Sequence, residues 1–561
     1  MKKLFRYVVL LFLLTAFILG SVACSGTNGS TTEIVVMNFG GGGGTAWIEN
    51  AANEFAEKVK DVEFESGKKG VSFDFTHSTN TQISTMKTSG FNMYFDERVI
   101  DIKALSAQGL LMDITDVVNA VVDTRNGKDV TILDKIDVDN RTQLMGNDGK
   151  YYGLPHYAIY PGLTYDVELF DRRGLYFADP DETEVVTYQC NLVGKTARFV
   201  KPNTDAEKSC GNDGVKGTQD DGLPTSLEEL IMLCDYMKKK CGVYPFTFTG
   251  WHSDYSNILV EALWTNLAGY NQMRTNYTFN GDVEVVRGYT DENLFSGINY
   301  IKKPQTEVVK VTEENGYEVS GMVAKYYAIA FEEIAFKQDW FSKDAFSETV
   351  SHVDAQGNFI WSGVNGKDEI GMLIDGNHWY NESVTYGNFQ DYYAYTGATE
   401  RNIAWMSIPT SLDQSVTKES EARSQVILDV NRSYCVINGN IKKEGVAKAC
   451  KEFLKFLYTD AQLEKYTQTS GLMKAKIDYT VTKTDEMSDF LKSIIDLHQN
   501  NKILYQTADN DRYNTFYINF SAPTVQPVFD VRYNACFLAI KNNKTAKEIF
   551  EQLRMSSGQW N

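Results

Sequence analysis

The chain has 561 residues, enough for two to four domains or for two large lobes. Hydrophobic residues make up 43%, and 32 Tyr and 31 Phe stand against 10 Pro, which describes a folded, aromatic-rich globule and excludes a disordered chain. The formal charge of −19 argues against nucleic-acid phosphate as a partner and against an anionic bilayer held by charge.

Residues 1–23 join a basic start (Lys2, Lys3, Arg6), an apolar run from Tyr7 to Leu19 and small residues before Cys24, which are the parts of a secretory signal peptide. Ser21-Val22-Ala23-Cys24 resembles a bacterial lipobox, in which Cys24 becomes the lipid-modified first residue. Loss of the leader removes three positive charges and no acid, taking the formal charge from −19 to −22. Residues 24–32 then read as a flexible tether. Two or more acyl chains would hold the protein on a membrane, each buried CH₂ contributing about 0.8 kcal/mol. The alternative is an uncleaved anchor helix, because the apolar run falls only a little short of the about 20 residues a span needs.

From Glu33 to Phe39 the pattern is that of a buried strand, followed by five glycines, Gly40 to Gly44, and Trp47. The glycines lack the Lys of a phosphate loop and the spacing of a dinucleotide loop, so their role is close backbone approach at a helix N-terminus. Trp47 is either a cap on the helix that carries Ile48, Ala51, Ala52, Phe55 and Val59, or a cleft aromatic. Val71–Thr76 and Phe91–Phe95 read as strands, and Leu105–Val117 contains a helix closing at Gly109. Strand–helix–strand alternation of this kind predicts an α/β sheet with parallel strands.

Asp148-Gly149 marks a tight turn before a strand-like run, Tyr151–Leu154, which Pro155 ends. The next β-rich run, Tyr157–Tyr165, is broken by Pro161-Gly162, as a chain leaving one sheet for another requires. Tyr157 and Tyr160 fall at that seam. Ala178–Pro224 is polar and rich in Gly, Asp and Asn. Within it Gly211–Gly222 invites a calcium reading, but Gly217 and Gln219 stand where an EF-hand loop needs acids, so a solvated loop is expected and no metal. Thr225-x-x-Glu228 reads as a capping box for the helix that follows. Trp251 and Tyr255 lie in a loop between a strand and a helix, where α/β folds bind ligands. Glu369–Glu382 offers a buried strand ending at Asp375-Gly376 and presenting His378, Trp379 and Tyr380, with the Trp expected at the rim. Val430–Ile437 reads as a second crossing with Arg432 at its seam, and Ser521–Gln526 as a third.

Apart from Cys24 there are seven cysteines. Cys190 and Cys210 flank the polar insertion and are the expected disulfide. Cys234 and Cys241 would sit about 10 Å apart on a helix, too far to bridge, and Cys435, Cys450 and Cys536 have apolar surroundings. No CxxC, HExxH, GxSxG or Walker pattern is present, and the six His form no ligand-spaced cluster.

The order DGK-YYGLP, TYD-ELF, GL resembles the first crossover of extracellular solute-binding proteins of the sugar-binding type (family 1), the receptor subunits of ABC importers. The resemblance extends, with gaps, from about Glu33 to the C-terminus, through Phe91–Val117 and the strand with its following Trp at 370–379. It implies a two-lobe, periplasmic-binding-protein-like α/β fold (type II), with lobes of mixed sheet flanked by helices and three hinge crossings. Residues 33–158 plus 432–520 would form the N-terminal lobe, and 163–430 plus 525–561 the C-terminal lobe. It implies a lipid-anchored receptor on the outer face of the cell membrane, or in a periplasm, that is monomeric, needs no cofactor and hands a carbohydrate to the transmembrane subunits of a permease. Trp379 would stack on the sugar, with Tyr255, Trp251, Asp96, Asp375, Arg432, Tyr157 and Trp47 around it. A surface-anchored glycoside hydrolase is the alternative, since a chain with 74 acids does not lack carboxylate pairs. A surface adhesin is the third reading.

Overall fold

The computed structural model of the chain describes residues 29–78, 85–96, 101–252, 255–413, 424–430, 433–485, 487–505 and 536–560. Nine strands build two mixed sheets: β1 (Thr32–Phe39), β2 (Val71–Ser78), β3 (Met93–Asp96), β4 (Leu154–Pro155), β5 (Pro161–Asp166), β6 (Tyr244–Thr247), β7 (Ile370–Gly376), β8 (Ile403–Trp405) and β9 (Tyr434–Ile437). The first sheet runs β2-β1-β3-β9-β4 and the second β6-β7-β5-β8. In the first, β1 lies parallel to β2 and β3, while β9 is antiparallel to β3 and β4. In the second, β6 and β7 are parallel and β5 is antiparallel to both β7 and β8. Each sheet carries one lobe of the two-lobe α/β architecture that the resemblance implies. β7 and β9 are buried along their whole length, as strands covered on both faces must be.

Eight helices matter below: α1 (Ala46–Lys58), α2 (Ser256–Thr278), α3 (Val323–Lys337), α4 (His352–Ile360), α5 (Trp379–Thr385), α6 (Glu444–Leu457), α7 (Asp460–Ser470) and α8 (Asp489–Asn500). α1 and α6 bury one apolar face each against the first sheet, α1 through Trp47, Ile48, Ala51, Ala52 and Phe55, the last of which meets Phe453 of α6. The helix at Leu227–Tyr236 does open with a capping box, but one residue later than expected. Ser226 and Glu229 exchange the two bonds, and Thr225 also donates to Glu229. The polar insertion is not all loop, since Val185–Cys190 and Lys195–Val200 form an antiparallel hairpin. A second, longer antiparallel hairpin pairs Gly281–Phe295 with Ile298–Val311.

Three passages join the lobes, side by side. The first links β4 to β5, and the second enters β9. His156 N donates to Ser433 O at 3.0 Å and Val430 N to Ile159 O at 3.0 Å, which pairs these two. On the other flank Ala158 N donates to Met473 O at 2.9 Å and Ala475 N to His156 O at 3.0 Å. The third passage therefore follows α7, ahead of the expected Ser521–Gln526, which lies outside the described residues. Asp489–Tyr505 accordingly packs with the second lobe. Trp405 N of β8 donates to Ser493 Oγ of α8, and Lys502–Tyr505 pairs in parallel with Val426–Asp429 beside α2.

The Cys190–Cys210 pairing is not formed. All seven cysteines after Cys24 are free thiols. Cys190, at the end of its hairpin strand, points its thiol at Asp235 Oδ2 (3.5 Å), and burial pushes its pKa up to about 11. Two acids of the Gly211–Gly222 loop, expected to be solvated, are used within the loop as well. Asp220 accepts from the backbone N–H groups of Asn212 and Asp213 and from Thr218, and Asp221 from Gly217.

Candidate ligand site at the lobe seam

The lobes meet where the glycine loop after β1 touches the turn after β7. Gly42 and Gly44 hold φ of +42° and +68°, a region that L side chains avoid. At both positions the space is occupied too. A Cβ on Gly42 would lie 3.5 Å from His378 Cβ, and one on Gly44 would lie 3.2 Å from Asn381 Nδ2. The loop carbonyl is used directly: Asn381 Nδ2 donates to Gly42 O at 2.7 Å. The expected role of the five glycines, close backbone approach, is what the geometry shows, and the neighbour is the opposite lobe.

On the β7 side the turn is held by a buried polar network. Asp375 accepts from Gly376 N at 2.7 Å and from Gln356 Nε2 of α4 at 3.3 Å, with His378 Nε2 at 3.7 Å. Gln356 also donates to Glu382 and accepts from Ser383. Burial pushes the Asp375 carboxyl up to about 7; His378 opposes that shift and Glu382 adds to it. Gly376 has no room for a side chain, because a Cβ there would sit 2.6 Å from the His378 ring. Asn377 clamps the turn to the first crossing, exchanging backbone and side-chain bonds with Tyr160 at 3.1 and 3.0 Å.

Trp379 is not at the rim. It is 0% exposed, its indole N–H donates to Thr164 Oγ1 of β5 at 2.8 Å, and its ring packs on Phe359, Phe389 and Phe490. As the first residue of α5 its side chain turns back under the helix onto the sheet. The next aromatic, Tyr380, faces outward instead, stacked on Phe490 with ring centroids 4.9 Å apart. It lines a cavity of about 680 Å³ with Asn377 and Asn381 on one side and Gln468, Thr469 and Gly471, at the end of α7, on the other. Both lobes contribute to this cavity. Its mix of two aromatic rings, Tyr380 and Phe490, with amide and hydroxyl groups and the charged Lys483 and Asp485 suits a polyhydroxylated ligand.

Of the other expected residues, Trp47 is neither a free cap nor an open aromatic. It is buried against Phe95, His156 and Tyr466, with the Lys474 ammonium 5.0 Å from its ring. That lysine is held down to about 8 by burial and sits 2.9 Å from His156 Nδ1, whose own pKa burial drives far below its usual value. Tyr157 is buried at the seam, its hydroxyl 3.8 Å from where a Gly42 Cβ would be. Asp96 ends β3, buried beside Tyr434. Trp251 is 61% exposed, and half-buried Tyr255 stacks on His252 at 5.6 Å. These two follow β6, the parallel neighbour of β7, and so lie at the same sheet end as the turn at Asp375. Arg432 and Cys24 lie outside the described residues. Asn381 and Tyr380 were missed as site residues, although both stand in the quoted stretch Glu369–Glu382.

The sequence matches no protein-family model and no curated protein. Solved structures do match. A chitin oligosaccharide binding protein is similar over 95% of this chain and 99% of its own, with a TM-score of 0.51 at 12% identity. A structure from work on xylan utilisation by the thermophilic bacterium Caldanaerobius polysaccharolyticus covers 93% and 99%, at TM-score 0.52 and 12% identity. The BlMnBP1 binding protein of an ABC transporter from Bifidobacterium animalis subsp. lactis, in complex with mannobiose, covers 94% of each chain, at TM-score 0.50 and 13% identity. The fold of this chain is the fold of these structures.

Proposed function

We propose that this protein is the solute-binding receptor of an ABC-type importer, exported by its leader, held on the membrane through Cys24 and acting as a monomer. It captures an oligosaccharide between the lobes and delivers it, unmodified, to the permease. The observation that carries the proposal is the seam itself, where a five-glycine loop of one lobe and Asn381 of the other are in hydrogen-bond contact beside a cavity walled by both lobes. A ligand there gains contacts from two lobes only when they close, and that differential is what a permease can sense. Tyr380 takes the stacking role first given to Trp379, with Asn377 and Asn381 as hydroxyl partners. Tyr255 and Trp251 stand at the same sheet end, and Arg432 follows at the second crossing. The fold shared with sugar receptors supports the reading. Among the described residues no helix is long and apolar enough to cross a membrane.

A thermal-shift screen of the mature chain against an oligosaccharide panel, with product analysis of each sample, tests this. Ligand at about 100 times its Kd stabilises by about 2.7 kcal/mol. A shift with the sugar recovered intact, lost in Tyr380→Ala, is the expected result. Cleaved sugar, or no shift with any member of the panel, overturns the proposal.

A further inference from the structure

The polar insertion has no part in the seam, yet it walls a cavity of about 690 Å³. This cavity lies at the edge strand β8, which β5 separates from β7, and its other wall is α8. The insertion is fastened there deliberately. Asn212, itself buried, donates to Ser407 Oγ at 2.8 Å and to Ile408 O at 2.9 Å just beyond β8, and accepts from Thr410. A solvated loop would have no need of such an anchor.

Two buried side chains line the cavity. Gln425 is 6% exposed and Trp405 5% exposed. The Gln425 amide and the Trp405 indole N–H bring polar groups to the cavity wall. The rim carries Asp213, Asp220 and Asp496 and no lysine or arginine, which disfavours an anionic ligand. Asp220 and Asp496 are already engaged by donors, Asp496 by Asn500 Nδ2 at 2.7 Å, so they are poorly placed to neutralise a cation. What remains complementary is a neutral molecule with many hydroxyls. Its O–H groups donate to amide oxygens and its oxygens accept from the indole and amide N–H.

We infer that the cavity between the insertion, β8 and α8 is a second ligand site, separate from the seam, that takes a neutral sugar of one to three rings. The site does not depend on the seam's being a receptor site. A chain of this kind would hold saccharide on its flank as well as in its cleft.

The test follows the indole N–H resonances of the eight tryptophans in the whole mature chain, with the Trp405 signal identified by its loss in Trp405→Phe. Cellobiose, maltose, mannobiose and raffinose are titrated at millimolar concentration. At least one of them is expected to shift the Trp405 signal saturably, to do so equally in Tyr380→Ala, and to bind at least tenfold more weakly in Gln425→Leu. Asn500→Trp, a substitution at the exposed mouth of the cavity that does not threaten the core, is expected to abolish the shift, which keeps the test decisive if Gln425→Leu does not fold. No shift with any of the four sugars overturns the inference. So does a shift produced only by glucuronate or by spermidine, or one that Asn500→Trp leaves intact. A shift confined to chains with an intact Tyr380 would assign it to the seam and likewise overturn the second site.

Discussion

Asn381 Nδ2 and Gly42 O, 2.7 Å apart, bind the first turn of α5 to the glycine loop of the opposite lobe. The bond exists only while the lobes are together, so it belongs to the energy difference between closed and open forms. A neutral hydrogen bond contributes about 1 kcal/mol net. Asn381→Ala is therefore expected to weaken saccharide affinity about fivefold, with little change in the unfolding midpoint, because the residue is on a helix surface. Calorimetric titration decides this, and an unchanged Kd would mean that the contact does not contribute to closure.

Trp379 gives the opposite pattern. Its ring fills the space between α5 and the second sheet, and its N–H is satisfied by Thr164. Truncation leaves a large cavity and an unpaired hydroxyl. Trp379→Ala is expected to cost about 3–5 kcal/mol of stability, and Trp379→Phe much less, both read from urea unfolding. Wild-type stability in Trp379→Ala would contradict the buried placement.

Much of this architecture was legible because it is written in local patterns. The buried strand before Asp375-Gly376 and the tight turn at Gly149 are fixed by chain stereochemistry, and each sits where its pattern put it, whereas Pro161-Gly162, expected to break a strand, opens β5 and pairs with Gly376 and Asp375. Facing was less legible. Trp379 and Tyr380 are adjacent at a helix start, and which one turns inward depends on Thr164 and Phe490, remote in sequence. The passage beside His156 was unmarked for a similar reason. Ala475 pairs with His156 across more than three hundred residues, and nothing near Ala475 marks it as a crossing. The disulfide expectation failed because spacing across an insertion says nothing about which way two thiols point.

Those free thiols make a prediction of their own. Bridging a loop the length of 190–210 would add about 3 kcal/mol, and its reduction would lower the melting temperature by several degrees. With Cys190 buried against Asp235 and its pKa raised, the melting temperature is expected to be the same with and without dithiothreitol. A drop on reduction would show that a bridge forms. In the folded chain, half-buried Cys210 and Cys241 are expected to react with a thiol probe ahead of the five buried cysteines.

The pH dependence of stability should carry the signature of Asp375. Its ordinary value is 3.8, and burial holds the folded carboxyl at about 7. A carboxyl raised on folding favours the protonated native state. Its contribution is fully present below pH 3.8, declines as pH rises, and is lost above about pH 7. Each pKa unit corresponds to about 1.4 kcal/mol, so the decline amounts to a few kcal/mol. Glu332, also buried and held at about 7, adds a loss of the same sign. His498, buried and held near 4, has the opposite effect, losing stability as pH falls from 6.5 through 4. Asp375→Asn isolates the one carboxyl. It keeps the bond to Gln356 within reach, cannot ionise beside Glu382, and is expected to flatten the loss between about pH 4 and 7, leaving the variant more stable than wild type at about pH 8. Urea midpoints of the two proteins across that range measure the difference, and parallel curves would mean that Asp375 titrates at its ordinary value.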